Sequence, residues 1–162
     1  MTIRKTKHSD IEKVMQIYAF AQSFMIQTGN PEQWWTVHPP EKLIKSDIER
    51  GLSYVCVNAQ EIVAVFYFNI EIDPTYGKID GSWLNDDEYG IVHRIASNRS
   101  VKGAGEHCMK WCFEQCRNLR IDTHADNVPM KKLLEKLGYT YCGIIWIENG
   151  DERLAYQKVD KQ

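Results

Sequence analysis

The spacing of apolar residues predicts four helices and seven strands. Apolar side chains recur every three to four positions in four segments, which open at residue 9, residue 41, residue 106 and residues 126–129. Ser9 and Glu12 are spaced as in a capping box, and Gly51 and Gly138 follow helix ends. Runs rich in β-branched and aromatic residues predict strands at 2–5, 54–57, 62–68, 90–96, 119–123, 140–147 and 152–157.

The order of these elements predicts a mixed sheet. A strand, a helix and a strand follow one another in the second half, which requires at least one parallel pair, whereas the hairpins over 54–68 and 141–157 are antiparallel. We therefore expect a single α/β domain over residues 1–162, with a mixed, mostly antiparallel central sheet flanked by helices on both faces. Residues 71–88 are rich in turn formers and predict a long loop, which is typical of functional or disordered segments.

Composition narrows the classes of function. Lys and Arg number 20 against 22 Asp and Glu, for a net charge of −2, which argues against a nucleic-acid partner. There is no run of about 18 apolar residues, so no membrane partner is expected. The charged N-terminus lacks the apolar segment of a signal peptide. These features favour a cytoplasmic protein with reduced cysteines.

Residues 91–105, IVHRIASNRSVKGAG, are the first candidate for chemistry. An apolar strand runs into a loop with Gly103 and Gly105, and that loop opens a helix. The first N–H groups of a helix have no partner inside the helix and bind phosphate well. Arg99 and Lys102 add positive charge beside them. Taken alone, the stretch favours an ordinary tight turn, and it matches neither a Walker loop nor a dinucleotide-binding turn.

Together with the order of elements, the segments HRIAS, VKGAGEHCMKW, DTHADN and LLEKLGY resemble the GNAT superfamily of acyl-CoA-dependent N-acyltransferases. The resemblance covers essentially the full chain. It implies the acyl-CoA N-acyltransferase fold, acetyl-CoA as co-substrate, no metal, and a small-molecule or peptide amine as acceptor. It also implies direct attack of a primary amine on the thioester in a ternary complex. The alternative is a non-catalytic module that binds or senses acyl-CoA.

The resemblance implies a role for each part of these segments. The strand backbone at Ile95 and Ser97 would pair with the pantetheine arm, and Ile95 would polarise the thioester carbonyl. Asn127 would hydrogen-bond the CoA chain. Leu134 stands where related enzymes often carry a tyrosine that protonates the thiolate, so we expect no strong general acid. The loop amides that would hold the pyrophosphate belong to Val101, Lys102, Gly103, Ala104 and Gly105.

The attacking amine must lose a proton, and three residues are candidates for the base. His93 is the first choice because histidine titrates near neutral pH, although a histidine packed against the sheet is an equal alternative. Glu88 and His124 are the other two. His93 lies two residues before Ile95, so both side chains are expected on one face of the strand unless a bulge intervenes.

The acceptor pocket has weaker signals. The charged residues of 71–88 are acidic apart from one lysine and would attract a cationic amine, although a solvated loop has the same composition. Aromatic side chains in this part of the chain either line a pocket or simply pack. The identity of the amine, the acyl-chain preference and a possible homodimer stay open. The aromatic candidates for the acceptor pocket are Trp35, Tyr67 and Trp83, with Trp34, His38 and Tyr76 beside them.

Cys108, Cys112 and Cys116 lie four residues apart along the predicted third helix. Thiols in a line along one helix do not converge as the ligands of zinc must. We therefore interpret them as small core residues. A thiol-based redox or metal function is the alternative that this stripe leaves.

Overall fold

A computed structural model describes residues 1–160, which fold around one eight-stranded sheet. The strands are β1 (Thr2–Lys5), β2 (Ser53–Asn58), β3 (Glu61–Ile70), β4 (Asp80–Gly81), β5 (Gly90–Ser97), β6 (Asn118–Thr123), β7 (Thr140–Trp146) and β8 (Glu152–Val159). The helices are α1 (Ile11–Gln27), α2 (Glu41–Glu49), α3 (Ala104–Cys116) and α4 (Val128–Lys136).

The strands lie in the order β1-β2-β3-β5-β6-β8-β7-β4. β5 and β6 are parallel, and the other neighbouring pairs are antiparallel. The connection from β5 to β6 runs through α3, as a crossover between parallel strands requires. The predicted fold class, a mixed and mostly antiparallel sheet, is confirmed.

Each face of the sheet is covered by helices. On the α1 face, α1 and α2 pack Val14, Ile17 and Ile44 against the strands, and each of these side chains is at most 1% exposed. On the α3 face, α3 and α4 bury Met109 and Leu134 completely. Burial of one such side chain contributes roughly 1.5–3 kcal/mol, so apolar contacts on both faces hold the helices to the sheet.

The start of α1 differs from the prediction. A 3-10 turn over His8–Asp10 precedes the helix. The Asp10 carboxylate accepts a hydrogen bond from the Lys7 backbone N–H at 2.8 Å. The predicted capping box of Ser9 and Glu12 is therefore wrong, because the capping contact joins Lys7 and Asp10, two residues earlier in the chain.

The segment of residues 71–88 is more ordered than a simple loop. It contains a 3-10 turn, Pro74–Tyr76, and the two-residue strand β4. Asp73 caps the turn by accepting a hydrogen bond from the Thr75 backbone N–H at 2.9 Å. β4 pairs with β7 at a point where Gly81 and Gly143 face each other. The predicted long loop is thus pinned to the sheet along its length.

The cysteines of α3 are largely core residues. Cys108 and Cys112 are fully buried, and Cys116 is half-buried. Burial raises the pKa of the Cys112 thiol well above its usual value, so this thiol stays protonated. Within residues 1–160, no three His, Cys, Asp or Glu side chains form a group that could hold a metal ion. Over the same residues, every helix falls short of the length and apolar character that a membrane crossing demands.

We expect Gly143→Ala to destabilise the fold. A Cβ at Gly143, where φ is +144°, would lie 2.1 Å from the Asp80 carbonyl oxygen, so β4 and β7 could not keep their present contact. Chemical denaturation should show a loss of roughly 1–3 kcal/mol in the free energy of unfolding. Gly77→Ala is the control, because its Cβ would meet only the Pro74 carbonyl oxygen at 3.4 Å. Equal stability of the two variants would contradict the prediction.

Candidate active site

β5 and β6 separate after a short parallel contact. Within the described chain, two residue pairs join these strands, Gly90 with Leu119 and Ile91 with Arg120. Beyond Ile91 the strands diverge and leave an opening between their carboxyl ends, which we call the strand gap. A strand edge that lies free inside a sheet offers its N–H and C=O groups to a ligand.

A bulge in β5 decides which groups face the strand gap. Tyr67 of β3 pairs with His93 of β5, whereas Val65 of β3 pairs with Ala96 of β5. A step of two residues on β3 thus matches a step of three on β5, so β5 holds one extra residue. At the bulge, Arg94 has φ +53°, which is uncommon for a residue other than glycine. His93 lies beside the Tyr67 ring on the α1 face, whereas Ile95 packs against the core of the α3 face. The predicted shared face for His93 and Ile95 is therefore wrong, because the bulge intervenes.

The backbone beyond the bulge points its donors into the strand gap. The Asn98 N–H donates to the Val63 carbonyl oxygen at 3.0 Å, on the β3 side. Hydrogen bonds alternate along an antiparallel strand, so the N–H groups of Ile95 and Ser97 point away from β3. They face the gap, which is where a pantetheine arm would have to run.

Three contacts hold the bulge in place. The Tyr18 hydroxyl donates to the Arg94 carbonyl oxygen at 2.8 Å. The Arg94 guanidinium makes two hydrogen bonds to Oδ2 of Asp47, at 3.0 and 2.8 Å, and lies 4.7 Å from the centroid of the Tyr67 ring. Tyr18 and Asp47 are buried. The positive φ of Arg94 persists because α1, α2 and β3 each fix this residue.

A cavity of about 450 Å³ opens at the carboxyl end of β5, between α1, α3 and α4. α3 begins at Ala104, two residues earlier than predicted, so the unpaired N–H groups of its first turn border the cavity. The Arg99 guanidinium also borders it and lies 4.1 Å from the centroid of the Phe24 ring. All the residues that the resemblance assigns to CoA line this cavity: Ile95, Ser97, Val101, Lys102, Gly103, Ala104, Gly105 and Asn127.

Asn127 already has partners inside the protein. Its Oδ1 accepts a hydrogen bond from the Met130 N–H at 3.2 Å and so caps α4, while its Nδ2 donates to Oε1 of Gln33 at 3.0 Å. Gln33 belongs to the connection between α1 and α2, which spans residues 28–40. The Gln33 carbonyl oxygen accepts a hydrogen bond from Arg153 on β8 at 3.3 Å. This connection therefore reaches across the strand gap to α4 and β8.

His93 is paired with a carboxylate. Its Nε2 lies 2.8 Å from Oδ2 of Asp73, and the imidazole is 25% exposed. Burial raises the pKa of Asp73, but hydrogen bonds from His93 and Thr75 outweigh it, and the pKa lies below its usual value. An ionised Asp73 accepts a hydrogen bond from Nε2–H and so orients the ring, and Nδ1 is the ring nitrogen that this contact leaves unused. No local pattern predicts this pairing, because in sequence Asp73 is only one of several acids in the 71–88 segment.

Of the three aromatic residues predicted to line the acceptor pocket, Tyr67 lies closer to His93 than Trp83 does. Tyr67 is 4% exposed, its ring centroid is 5.7 Å from that of His93, and its hydroxyl donates to Glu71. Burial and the Glu71 carboxylate raise the pKa of Tyr67 to about 12, so the hydroxyl is neutral at pH 7. Trp83 packs on Tyr76, and its indole N–H donates to the Tyr76 carbonyl oxygen at 2.8 Å. Tyr67 thus borders His93, and Trp83 lies one ring further away.

The third aromatic, Trp35, is 57% exposed in the connection between α1 and α2. Its neighbour Trp34 is buried and lies edge-on to His38, with ring centroids 5.9 Å apart. Burial, together with the nearby charges of Arg94 and Arg153, lowers the pKa of His38 to about 4. His38 is therefore neutral at pH 7, and positive charge lies on this side of the site.

The other predicted proton-transfer groups have surroundings different from those of His93. Glu88 is exposed and precedes the end of β5 that pairs with β6, opposite the strand gap. His124 Nδ1 accepts a hydrogen bond from the Asp126 N–H at 3.0 Å within its own loop. Leu134 is fully buried in the core, and Leu133 lines the cavity, so neither position offers a proton donor.

Three solved structures are similar to this chain. A GNAT-family acetyltransferase from Streptococcus agalactiae 2603 is 29% identical, with a TM-score of 0.90, over 99% of this chain and 96% of that one. A GNAT-family acetyltransferase from Listeria monocytogenes 4b F2365 is 17% identical, with a TM-score of 0.70, over 97% and 93%. The ribosomal-protein-S18-alanine N-acetyltransferase from Escherichia coli is 17% identical, with a TM-score of 0.61, over 99% and 95%. No protein-family model and no curated protein matches the sequence significantly.

The two structures below 25% identity show the shared fold alone. The Streptococcus agalactiae protein adds agreement in sequence over nearly the whole length of both chains. The resemblance of residues 93–111 and 122–139 to the GNAT superfamily is thereby confirmed, and this chain has the fold of that superfamily.

Proposed function

We propose that this protein transfers an acetyl group from acetyl-CoA to a primary amine while both substrates are bound. The observation that carries the proposal is the strand gap, which opens at the same end of β5 as the cavity beside the loop of residues 101–105. The similar acetyltransferase from Streptococcus agalactiae supports the same general reaction.

The chain offers a separate set of groups for each part of acetyl-CoA. The backbone N–H groups of residues 101–105, with Lys102 beside them, supply positive potential for a pyrophosphate. The N–H groups of Ile95 and Ser97 supply strand-like hydrogen bonds for the pantetheine arm. The side-chain amide of Asn127 has one N–H left for the CoA chain after its bond to Gln33.

The bulge would place a donor at the reacting carbonyl. Ile95 N–H is the first donor beyond Arg94 that faces the gap, and the contacts of Tyr18 and Asp47 fix its position. When the amine nitrogen forms its bond to the carbonyl carbon, negative charge grows on the carbonyl oxygen, and the C–S bond then breaks. A preorganised N–H aimed at that oxygen stabilises the developing charge.

His93 would take the proton that the attacking nitrogen must lose. Asp73 holds Nε2, so Nδ1 is the acceptor, either directly or through one water. The electrons of the C–S bond leave with sulfur as CoA thiolate. A thiol has a pKa of about 8.5, so the thiolate needs no protonating group, in keeping with the apolar Leu133 and Leu134.

Binding and turnover of acetyl-CoA test the proposal. We expect acetyl-CoA to raise the melting temperature, because a ligand that binds the native state alone adds about 2.7 kcal/mol at 100 times its Kd. We also expect free thiol to be released when a suitable amine is added. Absence of any thermal shift would overturn the proposal. A thermal shift without turnover across a broad amine panel would favour the alternative, a module that binds or senses acyl-CoA.

We expect His93→Gln to remove the base while leaving acetyl-CoA binding intact. Steady-state kinetics should show kcat falling roughly 10²- to 10³-fold, because proton transfer by a positioned side chain contributes about that much. Asp73→Asn keeps the imidazole but removes the negative charge of its partner, so it should lower kcat by a smaller factor, about 10-fold. His8→Gln, an exposed histidine, is the control. A His93→Gln variant with the wild-type kcat would exclude this role.

We expect Tyr18→Phe to loosen the bulge. Burial raises the pKa of Tyr18, so its hydroxyl stays a neutral donor, and its removal leaves the Arg94 carbonyl unpaired. The free energy of unfolding should fall by about 1 kcal/mol, and kcat should fall about 10-fold because the Ile95 N–H is displaced. The Kd of acetyl-CoA should change by less than about 3-fold, since the loop contacts remain. Tyr141→Phe, which alters an exposed ring, is the control, and an unchanged kcat in Tyr18→Phe would refute the positioning role.

A further inference from the structure

Arg153 is a buried cation without a carboxylate partner. It is 5% exposed, and its hydrogen bonds go to two carbonyl oxygens, those of Glu152 at 2.9 Å and Gln33 at 3.3 Å. Within residues 1–160, no carboxylate oxygen lies within 4.0 Å of its guanidinium. A guanidinium has five N–H donors, so these two contacts leave most of its capacity unused.

Strand register puts Arg153 on the far side of the strand gap from the bulge. Thr123, the last residue of β6, pairs with Leu154, so Arg153 lies one residue beyond that pair on β8. Ala155, two residues further on, belongs to the same core cluster as Tyr67. Residues two apart on a strand share a face, so Arg153 lies on the α1 face, as His93 does.

A carboxylate without a cation lies between these two residues. Ile91 pairs with Arg120, so Asp122 of β6 is level with His93 across the gap. Its Oδ2 accepts a hydrogen bond from the Tyr76 hydroxyl at 2.7 Å. No Lys, Arg or His nitrogen in the described part of the chain lies within 4.0 Å of this carboxylate. The α1 face of the gap thus has an anion near His93 and a cation beyond it, and neither forms a salt bridge among residues 1–160. Burial lowers the pKa of Arg153, and the more distant charges of Asp122 and Asp151 only partly oppose this.

Two neighbouring arginines have a carboxylate or aromatic rings against the guanidinium, which Arg153 lacks. The Arg94 guanidinium pairs with Asp47. The Arg120 guanidinium lies between two aromatic rings, 4.2 Å from the centroid of Trp83 and 4.0 Å from that of Tyr89. Burying a charge is unfavourable unless an opposite charge offsets it. A buried guanidinium at the edge of a proposed substrate site is therefore placed to receive an anion from the substrate.

We propose that the acceptor amine also carries a carboxylate, and that Arg153 binds this carboxylate while the amino group lies near Asp122 and His93. The inference rests on the proposed acetyl transfer and names its substrate class: amino acids and other amines with a carboxylate a few bonds away. A carboxylate at Arg153 would form charge-assisted hydrogen bonds and displace the long contact with the Gln33 carbonyl oxygen.

Matched pairs of amines test the substrate class on the wild-type protein. The pairs are lysine with cadaverine, tyrosine with tyramine, and histidine with histamine, each offered with acetyl-CoA while thiol release is measured. We expect a kcat/KM at least about 10-fold higher for the carboxylate member of one or more pairs, as a charge-assisted hydrogen bond predicts. Equal or higher kcat/KM for the carboxylate-free member of every pair overturns the inference.

Variants of Arg153 test the residue. Arg153→Gln should lower kcat/KM for the carboxylate member roughly 10- to 100-fold and change the carboxylate-free member by less than about 3-fold. Arg153→Lys keeps the charge and should recover part of the loss. Arg117→Gln is the control, because Arg117 follows the C-terminal end of α3 and its side chain is 59% exposed. An equal fall for both members of a pair means that Arg153 only holds the connection of residues 28–40, and it overturns the inference.

Product inhibition gives a readout that does not depend on a folded variant. On the wild-type protein, N-acetylated amino acids should inhibit at lower concentration than N-acetylated amines of the same side chain, and the opposite order overturns the inference. The proposed function fails separately. If acetyl-CoA does not bind, both proposals fall, whereas efficient acetylation of carboxylate-free amines alone leaves acetyl transfer standing and overturns the role of Arg153.

Discussion

The position of one backbone carbonyl, that of Arg94, decides how the site is arranged. A residue other than glycine at φ +53° is strained, and it persists only where its surroundings fix it. Here a hydroxyl from α1, a carboxylate from α2 and an aromatic ring from β3 do so together. The same helices are held to the sheet by the apolar core of the α1 face. Packing on that face and the placement of the Ile95 N–H are therefore a single constraint.

The bulge also divides the two faces of β5 between two tasks. His93 and its partner Asp73 lie on the α1 face, and Ile95 lies against the α3 face beside the cavity. Two substrates could therefore approach one carbonyl carbon from opposite faces of the same strand. The connection between α1 and α2 touches both sides, because Gln33 contacts Asn127 at the cavity and Arg153 beyond the gap.

Much of the fold follows from local pattern, and that part could be predicted. The apolar spacing predicts all four helices and every strand except β4, whose two residues carry no hydrophobic pattern and pair through a close contact of Gly81 with Gly143. All the cavity residues assigned to CoA except Asn127 lie within residues 95–105, so one segment contains them, and the family resemblance gives that segment its role. Tyr18 and Asp47 lie 76 and 47 positions from Arg94, and ordinary helical spacing marks them only as inward-facing residues. Contacts of that separation exist only once the sheet has formed.

The buried charges show why such contacts are kept. An apolar replacement for a buried ion pair is often neutral or stabilising, so stability alone does not explain the pair of Asp47 and Arg94. Burial even raises the pKa of Asp47, and Oδ1 of Asp47 has no hydrogen-bond partner among residues 1–160. The pair instead fixes the side chain of a strained residue. Arg153 forms no salt bridge within the same residues, and burial lowers its pKa despite the charges of Asp122 and Asp151, so its burial is harder still to explain by stability. Positioning accounts for the pair of Asp47 and Arg94, and binding of a substrate carboxylate is the role proposed for Arg153.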